Sequence, residues 1–159
     1  MEIKKKKSRI LIINKSIEKL ASKSNQKVLA IWAADCAERV LPYFEKKFPK
    51  DNRPRKAIET IRKWKRGKIR FKEIRATSLA SHAAARNADK FKEAQYAARA
   101  AGHAVATAHV TRHSIGAAIY ATAVIRELNP DNIDVAAKKE GDWQYKHLVK
   151  LRKFKKYKL

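Results

Sequence analysis

The sequence holds a single cysteine, Cys36, so no disulfide can form within the chain and nothing argues for an oxidising compartment. Glycine is nearly as scarce. It occurs only at positions 67, 102, 116 and 141, from which neither a phosphate-cradling P-loop nor a dinucleotide fingerprint can be written. No Asn-Gly or Asp-Gly hairpin turn is present and no convincing run alternates apolar with polar residues, which removes the signals of a sheet. Long apolar stretches are missing too. Ile10 to Ile13, after the first lysines, is far shorter than a signal-peptide core of roughly seven to fifteen residues. Ile115 to Ile125 is broken by Thr122 and falls short of the about twenty residues that span a bilayer. The expectation is a soluble cytoplasmic protein without a membrane partner.

Acidic residues are also few, 15 against 39 Lys and Arg in 159 residues, for a formal charge of +24. Such a balance favours acidic partners, although a lysine-rich exterior selected for heat tolerance would look the same. The charge is uneven along the chain. Between Ala76 and Ile125 lie eighteen alanines with five basic and two acidic residues, a net of only +3. The excess sits at Lys4 to Arg9, Lys46 to Lys72 and Lys150 to Lys158. Alanine is the best helix former and adds little width, so helices of this composition can pack closely and leave few places to hide a polar group. His82, Arg86, His103, His109, Arg112 and His113 nevertheless stand among those alanines.

Apolar periodicity organises the rest. Val28, Ile31, Trp32, Cys36, Val40 and Phe44 recur at three- and four-residue steps, the stripe of a core-facing helix that Pro42 should kink or restart. After a turn at Pro49, Asp51 and Asn52, Pro54 suits the start of a second helix with Ala57, Ile58, Ile61 and Trp64 on one face, ended by Gly67. Further helices are expected from about 71 to 87, 89 to 108 with Asp89 favouring the start, 112 to 128, and 133 to 148. Gly102 and Gly116 read as permitting close helix crossings. The prediction is an all-α, irregular or orthogonal bundle of about six helices. Residues 1–24 form a basic tail and short helix carrying Ile12, Ile13, Ile17 and Leu20, residues 25–151 a single helical domain, and residues 152–159 a basic tail.

Four constellations bear on chemistry. Trp32, Asp35 and Arg39 share one side of a helix, so a partly buried carboxylate should find Arg39, with Arg86 or a histidine as tertiary candidates. His82 and Arg86, four apart and on the side of Leu79, would join Asp35 and Arg39 in one polar centre. A structural ion pair and a satisfied core histidine are the ordinary alternatives. His109 and His113 have a spacing that two imidazoles on one metal would need, but no Glu follows the first and a break near Thr111 is expected, so no metal is assigned. Arg53 to Lys72 is basic around most of its circumference. Its Arg55, Arg62, Lys65, Arg66, Lys68 and Arg70 could lie along phosphates in a salt-sensitive, sequence-independent way, or form a solvated face. Cys36 lies on the apolar stripe and no Ser-His-acid order stands out, so no catalytic residue and no cofactor is assigned.

Three motifs in order, W-A-A-D-C-A-E-R-V-L-P-Y-F-E from Trp32, D-N-R-P-R-K-A-I-E from Asp51 and A-G-H-A-V-A-T-A-H-V from Ala101, resemble the immunity-protein-five-like helical domains of bacteria and archaea. The resemblance spans about Lys27 to Leu151 and places Asp35, Arg39, Arg53, Pro54, His82, Arg86 and His109 on the family's polar motif positions. It implies a non-enzymatic protein that binds and neutralises a cognate toxin. The heavy basic surface departs from the pattern and would suit an acidic toxin better than a basic nuclease. The alternative is a nucleic-acid-binding protein using the 53–72 surface and the lysine-rich ends.

Overall fold

A computed structural model describes residues 14–64, 67 and 69–154. Among these residues there are seven helices and no strand: α1 (Lys15–Ser22), α2 (Gln26–Lys47), α3 (Arg53–Trp64), α4 (Phe71–Asn87), α5 (Lys92–Ala106), α6 (His113–Leu128) and α7 (Ile133–Lys153). The all-helical class agrees with the periodicity, with one helix more than the expected count of about six. Local chemistry sets several boundaries. Asn14 and Asn25 accept the Ser16 and Val28 amides at 2.8 and 2.9 Å, each satisfying a helix-start donor that has no partner inside its helix. Beyond α3, Gly67 adopts φ 76°, a left-handed conformation that costs glycine no steric clash.

Three expectations need correction. Pro42 neither restarts nor ends its helix, because α2 runs uninterrupted from Gln26 to Lys47. Pro42 is exposed, so water can reach the Glu38 carbonyl that its missing N–H would have served. Asp89 does not cap the alanine-rich helix, which begins three residues later with Phe91 at the cap position and no side-chain cap bond. The last helix continues to Lys153, into the segment read as a tail. Ile12 and Ile13 of the expected N-terminal helix lie outside the described residues.

Helix α5 sits at the centre, packed against α2, α3, α4 and α6. Nine of its fifteen residues are buried and seven of those are alanines, so neighbouring helices approach its backbone on several sides. Bulk comes from the surrounding elements: Trp32, Val40, Leu41 and Phe44 of α2, Ile58 and Ile61 of α3, Ile74 of α4 and Leu148 of α7. One hydrogen-bonded relay ties three helices. The Trp32 indole donates to the Gln144 carbonyl at 2.9 Å, and the Gln144 amide donates to the Ala118 carbonyl and the Thr122 hydroxyl at 3.1 and 3.0 Å. The buried indole N–H and the buried amide N–H of this relay thus both have acceptors.

Candidate functional site

The polar residues that the sequence gathers into one centre divide between two ends of the bundle. At the first end, α2 presents acids to arginines of α3 and to α7. Asp35 forms an ion pair with the Arg62 guanidinium at 3.0 Å and meets His147 Nε2 at 2.7 Å. Arg55 bridges Glu38 and Glu45 and has its pKa pushed up by those bonds, with the Glu45 contribution the largest. Arg39 does not turn to Asp35. It forms a two-pronged pair with Glu140 of α7, Nε to Oε1 at 3.1 Å and Nη2 to Oε2 at 3.0 Å, while its guanidinium lies 3.8 Å from the centre of the Trp143 ring. Glu140 is 4% exposed, so this bond compensates a charge withdrawn from water. The Trp143 ring stacks on His147 in turn. Cys36 is fully buried here and burial pushes its thiol pKa up, as for an inert small hydrophobe. Arg53 binds Asp51 at 2.6 and 2.9 Å across the turn before α3, and that bond lowers the carboxyl pKa.

At the second end, α4, α5 and α6 bring imidazoles together. His82 does not meet Asp35. The Arg99 guanidinium of α5 donates to His82 Nδ1 at 2.9 Å, which puts the His82 proton on Nε2. His82 packs edge to face with His103 at 5.1 Å between ring centres, and His103 Nδ1 faces His113 Nδ1 at 3.1 Å, a contact that needs one nitrogen protonated and the other bare. The two glycines read as helix-crossing points are seats for these rings. A Cβ at Gly102 would fall 2.8 Å from the His82 ring, and one at Gly116 would fall 2.7 Å from His103. Tyr120 stacks on His103.

This end disfavours protonation. Burial is the largest cause of a His82 pKa lowered to about 4, followed by Arg99, Arg86 and His113. His103 is likewise lowered to about 4, by burial first and then by His82, His113 and Arg99. Burial and His109 lower His113. Every charge among the causes for these three rings is positive or an imidazole.

His109 and His113 diverge despite their spacing. Helix α6 starts only at His113, so His109 lies in the preceding turn and stacks on Phe71 at 3.9 Å between ring centres. Its Nε2 is buried without a hydrogen-bond partner among the described residues. Arg86 is exposed one turn beyond His82. No group of three or more His, Cys, Asp or Glu is placed to hold a metal ion among the described residues. Of the basic surface, Arg55 and Arg62 are engaged by acids, Arg70 is exposed before α4, and Lys65, Arg66 and Lys68 lie outside the described residues.

Reading along the sequence missed Arg99, Glu140 and His147. Arg99 had a signal, since it stands four residues before His103 on the alanine-rich helix. Glu140 and His147 had none within reach, because their partners lie 101 and 112 residues away.

No helix among the described residues is long and apolar enough to cross a membrane. No curated protein and no solved structure matches the chain. A family does match, over residues 19–151, and its extent includes every helix from α2 to α6, both polar ends and nearly all of α7. The chain belongs to the family described as Imm-5 like putative immunity protein.

Proposed function

We propose that this chain is a non-enzymatic immunity protein that binds a partner protein, a toxin, and neutralises it. The observation that carries this reading is the family match over residues 19–151. Binding is asked of a surface held by a scaffold, and the ion pairs of Arg39 with Glu140 and of Arg62 with Asp35 fix α2 against α7 and α3 for that purpose. A formal charge of +24 adds attraction toward an acidic partner and speeds encounter at low salt.

The nucleic-acid alternative has less to draw on. Arg55 and Arg62 are turned toward Glu38, Glu45 and Asp35, which reduces what the 53–72 segment offers to phosphates. Affinity capture from nuclease-treated lysate of the source cells, washed at moderate salt, tests the reading. A protein retained in stoichiometric amount supports it. Retention of nucleic acid from an untreated lysate, with no protein partner in either, overturns it.

A further inference from the structure

The second end of the bundle has an uncompensated charge. Arg99 is half-buried, yet among the described residues its one hydrogen-bond partner is the neutral His82 ring. Arg86, four residues after His82 on the same side of α4, is exposed. Neither arginine lies within ion-pair distance of a carboxylate among the described residues, whereas Arg39, Arg53, Arg55 and Arg62 all do. The nearby acids point elsewhere. Glu73 is nine residues before His82 and so on the opposite side of α4, and Glu93 is six residues before Arg99, well round α5 from it. Asp89 lies in the turn after α4, and Glu18 of α1 lines the groove beside His103, Arg112 and His113, neither pairing with Arg86 or Arg99. A partly desolvated guanidinium ordinarily recovers its hydration from a carboxylate or phosphate. Here none is supplied among the described residues.

The same face carries apolar surface. Phe71, Arg75, Leu79, His82 and Arg86 fall within about 80° of one another around α4 at 100° per residue, and Phe71 and Leu79 are 66% and 58% exposed. Basic residues beside exposed apolar ones, set on a rigid helix, match the anchors that dominate protein interfaces.

We propose that this face docks an acidic segment of the partner protein, seating a side-chain carboxylate between Arg86 and Arg99 above His82 and an apolar side chain on Leu79. The inference rests on the protein-partner reading. It selects a carboxylate over a phosphate because the exposed aliphatic Leu79 beside the arginines matches an apolar side chain next to an acid, which a peptide supplies and a sugar-phosphate chain does not, while one ring face of Phe71 is already stacked on His109. The carboxylate accepts from the arginine forks, while the His82 ring, packed on Gly102, forms the floor beneath them.

The probe is an acetylated, amidated Glu-Glu-Leu-Glu-Glu peptide, with inorganic phosphate in parallel, titrated into the full chain at an ionic strength of about 0.15 M to screen long-range attraction. Binding is followed by NMR at the Arg99 side chain and the His82 ring. The expected result is saturable binding of the peptide that perturbs both signals and weakens at least about fivefold in Arg86→Gln and in Arg99→Gln, whereas Lys56→Gln on α3, which removes the same charge elsewhere, changes it less than about twofold. Equal weakening in all three variants would make the attraction diffuse and overturn the proposal, as would Arg99-dependent binding of phosphate without peptide. Arg86 is exposed and its substitution spares the fold, so the test does not hinge on Arg99→Gln remaining folded. A partner captured from lysate and held equally by Arg86→Gln, Arg99→Gln and the parent chain would sink this face alone. Failure of capture with the parent chain sinks the partner reading itself.

Discussion

The two polar ends of the bundle solve opposite problems. Where α2 meets α3 and α7, each of Arg39, Arg55 and Arg62 faces a carboxylate, and the charges fix how the helices sit against one another. Where α4, α5 and α6 meet, two arginines and three imidazoles gather with no carboxylate paired to either arginine among the described residues, and the rings are kept neutral by burial first and then by the neighbouring arginines and imidazoles. The first arrangement is complete within the chain. The second has no such partner among the described residues, and the docking proposal assigns that place to a carboxylate of the partner protein.

Substitutions can break this contrast at its strongest point first. Arg39→Ala strands the buried Glu140 carboxylate and removes a cation from the Trp143 ring, and should cost about 2–4 kcal/mol in urea denaturation. Adding Glu140→Met to that variant should recover most of the loss, because no buried charge then remains; a double variant as unstable as the single would mean that the pair is not what holds α2 to α7. Gly116→Ala comes next. Its Cβ would meet the His103 ring at 2.7 Å, so despite the better helix propensity of alanine the net expectation is a loss of about 1–2 kcal/mol together with altered His103 and His113 resonances.

Acid sharpens the comparison further. His82 and His103 hold folded-state pKa values of about 4 against an ordinary 6.5, so between those values the unfolded chain takes up protons that the native chain refuses. Their contribution is intact above pH 6.5 and is lost as pH falls toward 4. Both rings are partly solvated, which reduces the effect, and the parent chain should lose of order 1 kcal/mol more across that window than a His82→Gln, His103→Gln variant. The smallest effect belongs to Arg99→Gln. With no carboxylate left behind, stability should stay within about 0.5 kcal/mol of the parent in the same urea experiment. A cost as large as that of Arg39→Ala would erase the distinction between the two ends.

Periodicity made the helices legible, because the stripe from Val28 to Phe44 and the one from Ala57 to Trp64 each mark a buried face at helical spacing. Partner choice was not legible in the same way. Asp35 and Arg39 are helical neighbours, yet Arg62 from α3 and His147 from α7 occupy Asp35, and the buried Glu140 takes Arg39. Spacing ranks neighbours within one helix, whereas burial on a distant helix decides which carboxylate most needs a cation. His82 and Arg86 do share a side of α4 as the spacing required, but that side faces Arg99 and His103 rather than Asp35. The glycines show the same limit. A missing side chain at Gly102 and Gly116 announces close approach, and only the assembled helices reveal that imidazole rings fill the space.

At the imidazole end, burial and arginines with no carboxylate partner among the described residues hold the rings neutral. NMR titration of the five histidine rings measures this directly, with His82 and His103 assigned through substitution. The account predicts that both titrate near pH 4 in the free protein and that both values rise when the acidic peptide is bound. Titration of either ring at or above the ordinary value of 6.5 in the free protein would contradict it, since neither burial nor unpaired neighbouring cations would then be acting on the ring.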